Sequence, residues 1–176
     1  MYKQLSNLLL LATTIIFISS FLACTDTATN TTNTAAKTEA NKIQNEKDFV
    51  ATMQKHLDAV SNKDLAALKS TMSPTGKMQL ILPATEIINT VDGFMNYHEE
   101  WFKAPGTWTF ETKILNTEIK EDLGIAITEI IYSEPERNGE PYFNRMIVSY
   151  ALEKVNGKWC IIKDHACSVE KSTDPK

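Results

Sequence analysis

The stretch Val155-Asn156-Gly157-Lys158 marks a turn between two apolar runs near the end of the chain. Asn-Gly in this setting is the strongest short signal for a two-residue hairpin turn of type I′. We therefore predict antiparallel strands over residues 142–155 and 158–168, with Val155 paired to Lys158. These two strands are called the closing hairpin below.

Alternation along the closing hairpin predicts which side chains share a face. In an uninterrupted register Tyr150 lies opposite Lys163, and His165 is two positions further along the same face. A few polar groups on an otherwise apolar wall are typical of a small-molecule pocket, so we expect His165, Lys163 and Tyr150 to contact a ligand. One β-bulge would exchange the faces and turn Asp164 and Arg145 inward instead.

His165 is the candidate catalytic residue of this face, because an imidazole can act as a general acid or base near neutral pH. Lys163 could orient an anionic group, and Tyr150 could donate a hydrogen bond to a carbonyl oxygen. In the alternative interpretation His165 is a structural residue of the sheet, Lys163 extends to solvent and Tyr150 belongs to the core.

Helices precede the strands. Apolar residues recur at helical spacing from Phe49 to Val60, and Asn62 and Thr90 are placed to cap a second and a third helix. A short strand lies between those two helices, and four long strands follow. Helices gathered before an antiparallel sheet predict an α+β fold.

The third helix carries two weaker candidates for the site. His98 and Trp101 are three residues apart and share a face, so they could contact a ligand at the mouth of a pocket. Aromatic stripes at this spacing more often belong to the core.

Glu129 is a lone charge in an apolar strand, and a hairpin through residues 133–141 would bring it opposite Arg145. This pattern favours a structural ion pair over a carboxylate base.

The closing segment Gly157-Lys158-Trp159-Cys160-Ile161-Ile162-Lys163-Asp164-His165-Ala166 resembles the last strand of the SnoaL-like group within the nuclear transport factor 2-like superfamily. The stretch Asn62-Lys63-Asp64-Leu65-Ala66-Ala67-Leu68 resembles the turn between that group's first helices. The likeness spans roughly residues 49–168, with Lys163 standing where the group usually has histidine. It implies a cone in which three N-terminal helices pack on a curled antiparallel sheet around a pocket, and it implies possible homodimers.

The beginning of the chain predicts export. Lys3 precedes an apolar stretch from Leu8 to Phe21, as in a secretory signal. The following Phe21-Leu22-Ala23-Cys24 resembles the lipobox of bacterial lipoproteins. It implies that residues 1–23 are removed and that lipidated Cys24 anchors the protein in the bacterial cell envelope, facing the periplasm or the surface.

Composition divides the rest of the chain. Residues 24–45 are rich in Thr, Asn and Ala, which predicts a disordered tether. We assign residues 46–170 to the SnoaL-like domain and residues 171–176 to a polar tail. The net charge of −4 provides no basic surface for nucleic acid. The three histidines lack metal-ligand spacing, and we expect no cofactor.

Three functions remain open at this stage. The first is binding of a small, partly apolar molecule in the pocket of a membrane-anchored lipoprotein. The second is acid–base catalysis of the lyase or isomerase kind through His165. The third is a dimeric interaction module without chemistry.

Overall fold

The computed structural model describes residues 26–84 and 86–175. The helices are α1 (Asp26–Ser61), α2 (Leu65–Ser70) and α3 (Val91–Lys103), and the strands are β1 (Lys77–Ile81), β2 (Ile87–Thr90), β3 (Thr109–Ile119), β4 (Leu123–Arg137), β5 (Glu140–Val155) and β6 (Lys158–Lys171). The chain divides into the units Met1–Lys37 and Thr38–Lys176, and the second unit holds every strand of the described residues. The predicted signal and Cys24 lie outside the described residues.

The predicted tether differs from the structure. Residues 26–45 belong to α1, and no Gly or Pro interrupts this helix. Residues 34–44 are exposed, so local helix propensity rather than burial supports them. Asn45 already contacts the domain, since its amide donates to the carbonyls of Lys120 at 3.0 Å and Glu121 at 3.2 Å. The last residue of the predicted tether therefore contacts the turn between β3 and β4. Within residues 26–84 and 86–175, no helix is both long and apolar enough to cross a membrane.

The helix caps follow local chemistry. Thr90 caps α3 as predicted, because its side chain accepts a hydrogen bond from the Gly93 amide at 3.0 Å. Asn62 was predicted to cap α2, but Asp64 does so by accepting from the Ala67 amide at 2.9 Å. Lys63 adopts a left-handed conformation with φ of 56°, which delays the start of the helix by two residues.

The strands form one sheet in the order β2-β1-β6-β5-β4-β3. All neighbours are antiparallel except β1 and β6, which run parallel, so the sheet is mixed rather than antiparallel as predicted. The short edge strand β2 was not predicted. The α+β class is confirmed, with the N-terminal helices packed on a curled sheet.

The predicted stripe on the first helix forms part of the core. Phe49, Met53, Leu57 and Val60 are buried. Gly124 on β4 allows this packing, because a β-carbon at that position would lie 2.5 Å from a ring carbon of Phe49. The stripe thus belongs to one core cluster that also includes residues of α3 and of the sheet.

Candidate functional site

The closing hairpin begins in the predicted register and then leaves it. Asn156 and Gly157 have φ of 51° and 77°, as a type I′ turn requires, and Val155 pairs with Lys158. The pairing continues in step as far as Leu152 with Ile161, and the next pair is Ala151 with Lys163. Ile162 is therefore the extra residue of a β-bulge.

The bulge exchanges the two faces of β6, so the predicted placement of Lys163 and His165 is wrong. Both side chains are exposed on the face away from the core. Asp164, which pairs with Tyr150, points inward and is 8% exposed. This is the alternative that the sequence left open for Asp164.

Arg145 does not join Asp164 on the inner face. A second register shift lies between Arg145 and Met146, and Arg145 contacts two carboxylates instead. Its Nη1 is 3.3 Å from Glu129 Oε2, and its Nε is 3.2 Å from Glu170 Oε2. The predicted ion pair with Glu129 is confirmed, although Glu129 pairs directly with Ile147 and reaches Arg145 diagonally.

A cavity of about 500 Å³ is lined by α3 and by the inner face of the sheet, meaning the face that carries Tyr150 and Asp164. Its aromatic lining consists of Tyr97, Trp101, Trp108, Phe110, Tyr132, Tyr142 and Tyr150. Its aliphatic lining includes Leu80, Leu82, Ile130, Met146, Val148 and Ala166. The volume falls in the range of small-molecule pockets.

Three of the predicted site residues line this cavity, namely His98, Trp101 and Tyr150. Trp101 stacks on Trp108 with ring centroids 4.6 Å apart and planes 11° from parallel. Phe110 meets the edge of Trp101 at 5.7 Å, and Tyr132 lies 5.9 Å away. One side of the cavity is therefore an aromatic wall.

His98 is a neutral group in this setting. Its Nδ1 lies 2.9 Å from the Phe94 carbonyl, which can only accept, so Nδ1 carries the hydrogen. Burial lowers the pKa of His98 to about 4. At neutral pH its Nε2 is a hydrogen-bond acceptor, and the ring carries no charge.

Asp164 is the polar centre of the cavity. Burial raises the pKa of its carboxyl to about 7. Burial is also the main cause that raises the pKa of Tyr150 well above its usual value, with the charge of Asp164 second. Tyr150 therefore keeps its proton and can act as a hydrogen-bond donor beside a carboxyl that changes charge near neutral pH.

Three buried polar atoms of the cavity lining have no hydrogen-bond partner among the described residues. They are Oδ1 of Asp164, Oδ1 of Asn144 and Nε1 of Trp108. Buried polar atoms are normally paired, because leaving one unpaired costs about 1–3 kcal/mol. The cavity thus offers one donor and two acceptors, and the Asp164 carboxyl becomes a donor when it is protonated.

The mouth of the cavity holds a hydrogen-bonded group on β4. The Arg137 guanidinium donates to both carboxylate oxygens of Glu134, and Nε lies 2.9 Å from Oε2. Tyr132 donates its hydroxyl to the same carboxylate. Burial, followed by this hydrogen bond, raises the pKa of Tyr132 to about 12. Arg137 also lies over the Tyr142 ring, 3.4 Å from its centroid.

Trp108, Tyr132 and Asn144 were not predicted as site residues. The sequence indicated that these residues lie on strands. Alternation shows which residues of a strand share a face, but it does not show which face lies against the helices. The described residues contain no cluster of three or more His, Cys, Asp or Glu side chains placed to hold a metal ion.

The comparisons with known proteins agree with this architecture. Residues 49–169 match the SnoaL-like domain, and the chain belongs to that family. Comparison with curated proteins gives no significant match.

Several solved structures share the fold at low sequence identity. A hexachlorocyclohexane dehydrochlorinase of LinA type 3 from Novosphingobium barchaimii is 11% identical, with a TM-score of 0.66 over 76% of this chain and 92% of that one. A ketosteroid isomerase-like protein from Erwinia carotovora atroseptica is 15% identical, with a TM-score of 0.59 over 69% and 94%. The association domain of CaMKII from C. elegans is 23% identical, with a TM-score of 0.56 over 73% and 98%. At these identities the likeness shows the fold alone.

Proposed function

We propose that the cone binds a small, partly apolar molecule between the aromatic wall and Asp164. The supporting observation is that Asp164, Asn144 and Trp108, each with an unpaired buried polar atom, line one cavity of about 500 Å³ that is rich in aromatic side chains. A ligand with a planar apolar body and one or two polar groups would satisfy these atoms. It would also cover the stacked rings of Trp101 and Trp108.

Binding can be tested with a defined probe. Purified protein spanning residues 25–176 is titrated with 2-naphthalenemethanol, and tryptophan fluorescence and calorimetry are followed. Saturable binding that weakens about tenfold in Trp101→Ala supports the proposal, because a stacking partner worth about 1–1.5 kcal/mol is lost. Lys163→Ala on the opposite face is the matched control and should bind as the unaltered protein does. No saturable binding, or equal loss in both variants, would contradict the proposal.

Acid–base catalysis is the second candidate, and a specific feature of Asp164 favours it. A buried carboxyl with its pKa raised to about 7 can both take and return a proton near neutral pH. His165 cannot serve inside the cavity, since its side chain is exposed on the other face. The base of such an enzyme would be Asp164, with Tyr150 or neutral His98 placed to assist.

The second candidate has a test that does not require the natural substrate. With 5-nitrobenzisoxazole, the Asp164 carboxylate would take the carbon-bound proton while the N–O bond breaks to give a cyanophenolate. The rate should rise as pH rises through about 7 and should fall by about a hundredfold in Asp164→Asn. The His165→Ala variant should be unaffected. A rate equal to that of acetate buffer alone would contradict catalysis by this carboxyl.

We also propose that the domain is held at a membrane through Cys24. Support comes from Phe21-Leu22-Ala23-Cys24 and the apolar stretch before it, which resemble a lipoprotein signal. Several acyl chains would hold the domain firmly, at about 0.8 kcal/mol for each buried methylene. Mass spectrometry of the protein from bacterial membranes should show an N-terminal diacylglyceryl cysteine, and Cys24→Ser should move to the soluble fraction. An unmodified Cys24 would contradict the anchor.

Self-association through the outer sheet face is a third role, compatible with the first. Ile125 and Leu123 are about half exposed on that face, at 47% and 52%. Sedimentation should show a dimer that Ile125→Lys disrupts. A monomer at high micromolar concentration would contradict it.

A further inference from the structure

We propose that the ligand of this cavity carries a positive charge, in the form of a protonated amine paired with the Asp164 carboxylate. This inference rests on the proposed binding function and adds the chemical class of the ligand. It starts from the unpaired, nine-tenths buried carboxylate and from the charges that line the same cavity.

The charged lining of the cavity is predominantly acidic. It consists of Asp164, Glu134 and Glu136 on the negative side and Arg137 on the positive side. Arg137 is engaged by both carboxylate oxygens of Glu134 and by the Tyr142 ring. Among the described residues, the lining therefore offers no uncommitted cation to an anionic ligand.

The other basic residues near the hairpin do not change this balance. His98 lines the cavity but is neutral at physiological pH, because burial lowers its pKa to about 4. Lys163 and His165 are on the opposite face of β6. An anion entering the cavity would lose its hydration without gaining an ion pair, which is costly in an apolar site.

An ammonium group would gain an ion pair in this cavity, whereas an anion would not. Asp164 Oδ1 has a free acceptor position, and charge-assisted hydrogen bonds to a carboxylate are about twice as strong as neutral ones. Tyr97, Trp101 and Tyr150 line the same cavity, and an aromatic face attracts a desolvated cation. Carboxylate and aromatic rings together form a site for a cationic head on an apolar body.

Binding of such a ligand should be coupled to the loss of a proton from Asp164. The groups facing Asp164 are Tyr150 on β5, Tyr97 and His98 on α3, and apolar Leu80 on β1. Burial raises the pKa of both tyrosines and lowers that of His98 to about 4, so these groups keep their charge between about pH 6 and pH 8. The acidic Glu134 and Glu136 and the basic Arg137 on β4 complete the charged lining.

The experiment compares three probes with one ring system and different charge. They are 2-naphthylmethylamine, neutral 2-naphthalenemethanol and anionic 2-naphthoate, each titrated calorimetrically into residues 25–176. We expect the amine to bind at least tenfold more tightly than the alcohol at about pH 8, and the advantage to shrink toward pH 6 as Asp164 is protonated. Titrations near pH 7 in buffers of different ionisation enthalpy should show proton release with the amine and none with the alcohol.

Two variants identify the carboxylate responsible. Asp164→Asn should remove the tenfold preference for the amine while leaving alcohol binding in place. Glu129→Gln, which neutralises a carboxylate outside the cavity lining, is the matched control and should retain the preference. The proton-release measurement on the unaltered protein remains decisive if Asp164→Asn fails to fold.

The outcomes separate this inference from the function on which it rests. Equal binding of amine and alcohol, tightest binding of the naphthoate, or amine binding without proton release would overturn the cationic class and leave the binding function intact. Failure of all three probes to bind would overturn both.

Discussion

The two faces of the closing hairpin belong to the same strands and have opposite surroundings. On the inner face, Tyr150 and Asp164 are buried and line the cavity. On the outer face, one residue away along β6, Lys163 and His165 are exposed. The chemistry of this site therefore depends on the pairing register of β5 and β6 as much as on residue type. A single extra residue, Ile162, decides that a carboxyl rather than an imidazole and an ammonium faces the cavity.

The largest expected difference between the faces is in packing. Leu152→Ala on the inner face should lower the free energy of unfolding by about 3 kcal/mol, because Leu152 is fully buried and leaves a void. Ile125→Ala on the outer face should cost less than about 1 kcal/mol, since this side chain is half exposed. Urea unfolding of both variants measures the contrast. Equal losses would mean that both faces are covered.

Asp164 provides the next contrast, which depends on pH. Its folded-state pKa of about 7 lies above the ordinary value of 3.8, so its protonated form favours folding and this contribution is lost as pH rises. Asp164→Asn should remove a decline of about 1.4 kcal/mol per pH unit between about pH 4 and 7. The outer-face control Ile125→Ala, which changes no titratable group, should leave that slope unchanged. A slope preserved in Asp164→Asn would show that the carboxyl is solvated.

His98, which lines the cavity from α3, should make stability depend on pH in the opposite sense. Burial lowers the pKa of His98 to about 4, so its contribution to stability is present above about pH 6.5 and is lost as pH falls toward 4. This slope opposes that of Asp164 over the same range. His98→Gln should remove about 1.4 kcal/mol per pH unit, as urea unfolding across this pH range measures. An unchanged slope in His98→Gln would contradict a buried, neutral imidazole.

The smallest expected effect concerns the ion pair of the outer face. Arg145 and Glu129 are each about one-third exposed, so the coupling free energy from a double-mutant cycle should be below about 1 kcal/mol. Moderate salt should reduce it further. A coupling of several kcal/mol would indicate that this face is covered and dry, as in a tight dimer interface.

Local signals predicted the parts of the fold that are decided locally. Thr90 caps α3 through its own side chain, and Asn156-Gly157 forms the turn that its backbone angles allow. Helical spacing predicted the buried stripe of α1. The parallel pairing of β1 with β6 could not be predicted from the sequence, because a strand's own pattern does not identify its partner.

The candidate site was predicted only in part, for the same reason. His98, Trp101 and Tyr150 were found, since helix spacing and the first half of the hairpin register hold. Lys163 and His165 were misplaced, because the bulge at Ile162 depends on what covers each face and leaves no mark of its own in the local sequence.

The most direct test of the central claim is a crystal structure of residues 25–176 bound to 2-naphthalenemethanol. We expect the naphthalene ring to lie against Trp101 and the hydroxyl to lie within hydrogen-bond distance of Asp164. Density for the probe beside Lys163 and His165, or aromatic side chains filling the cavity with no probe inside, would contradict it.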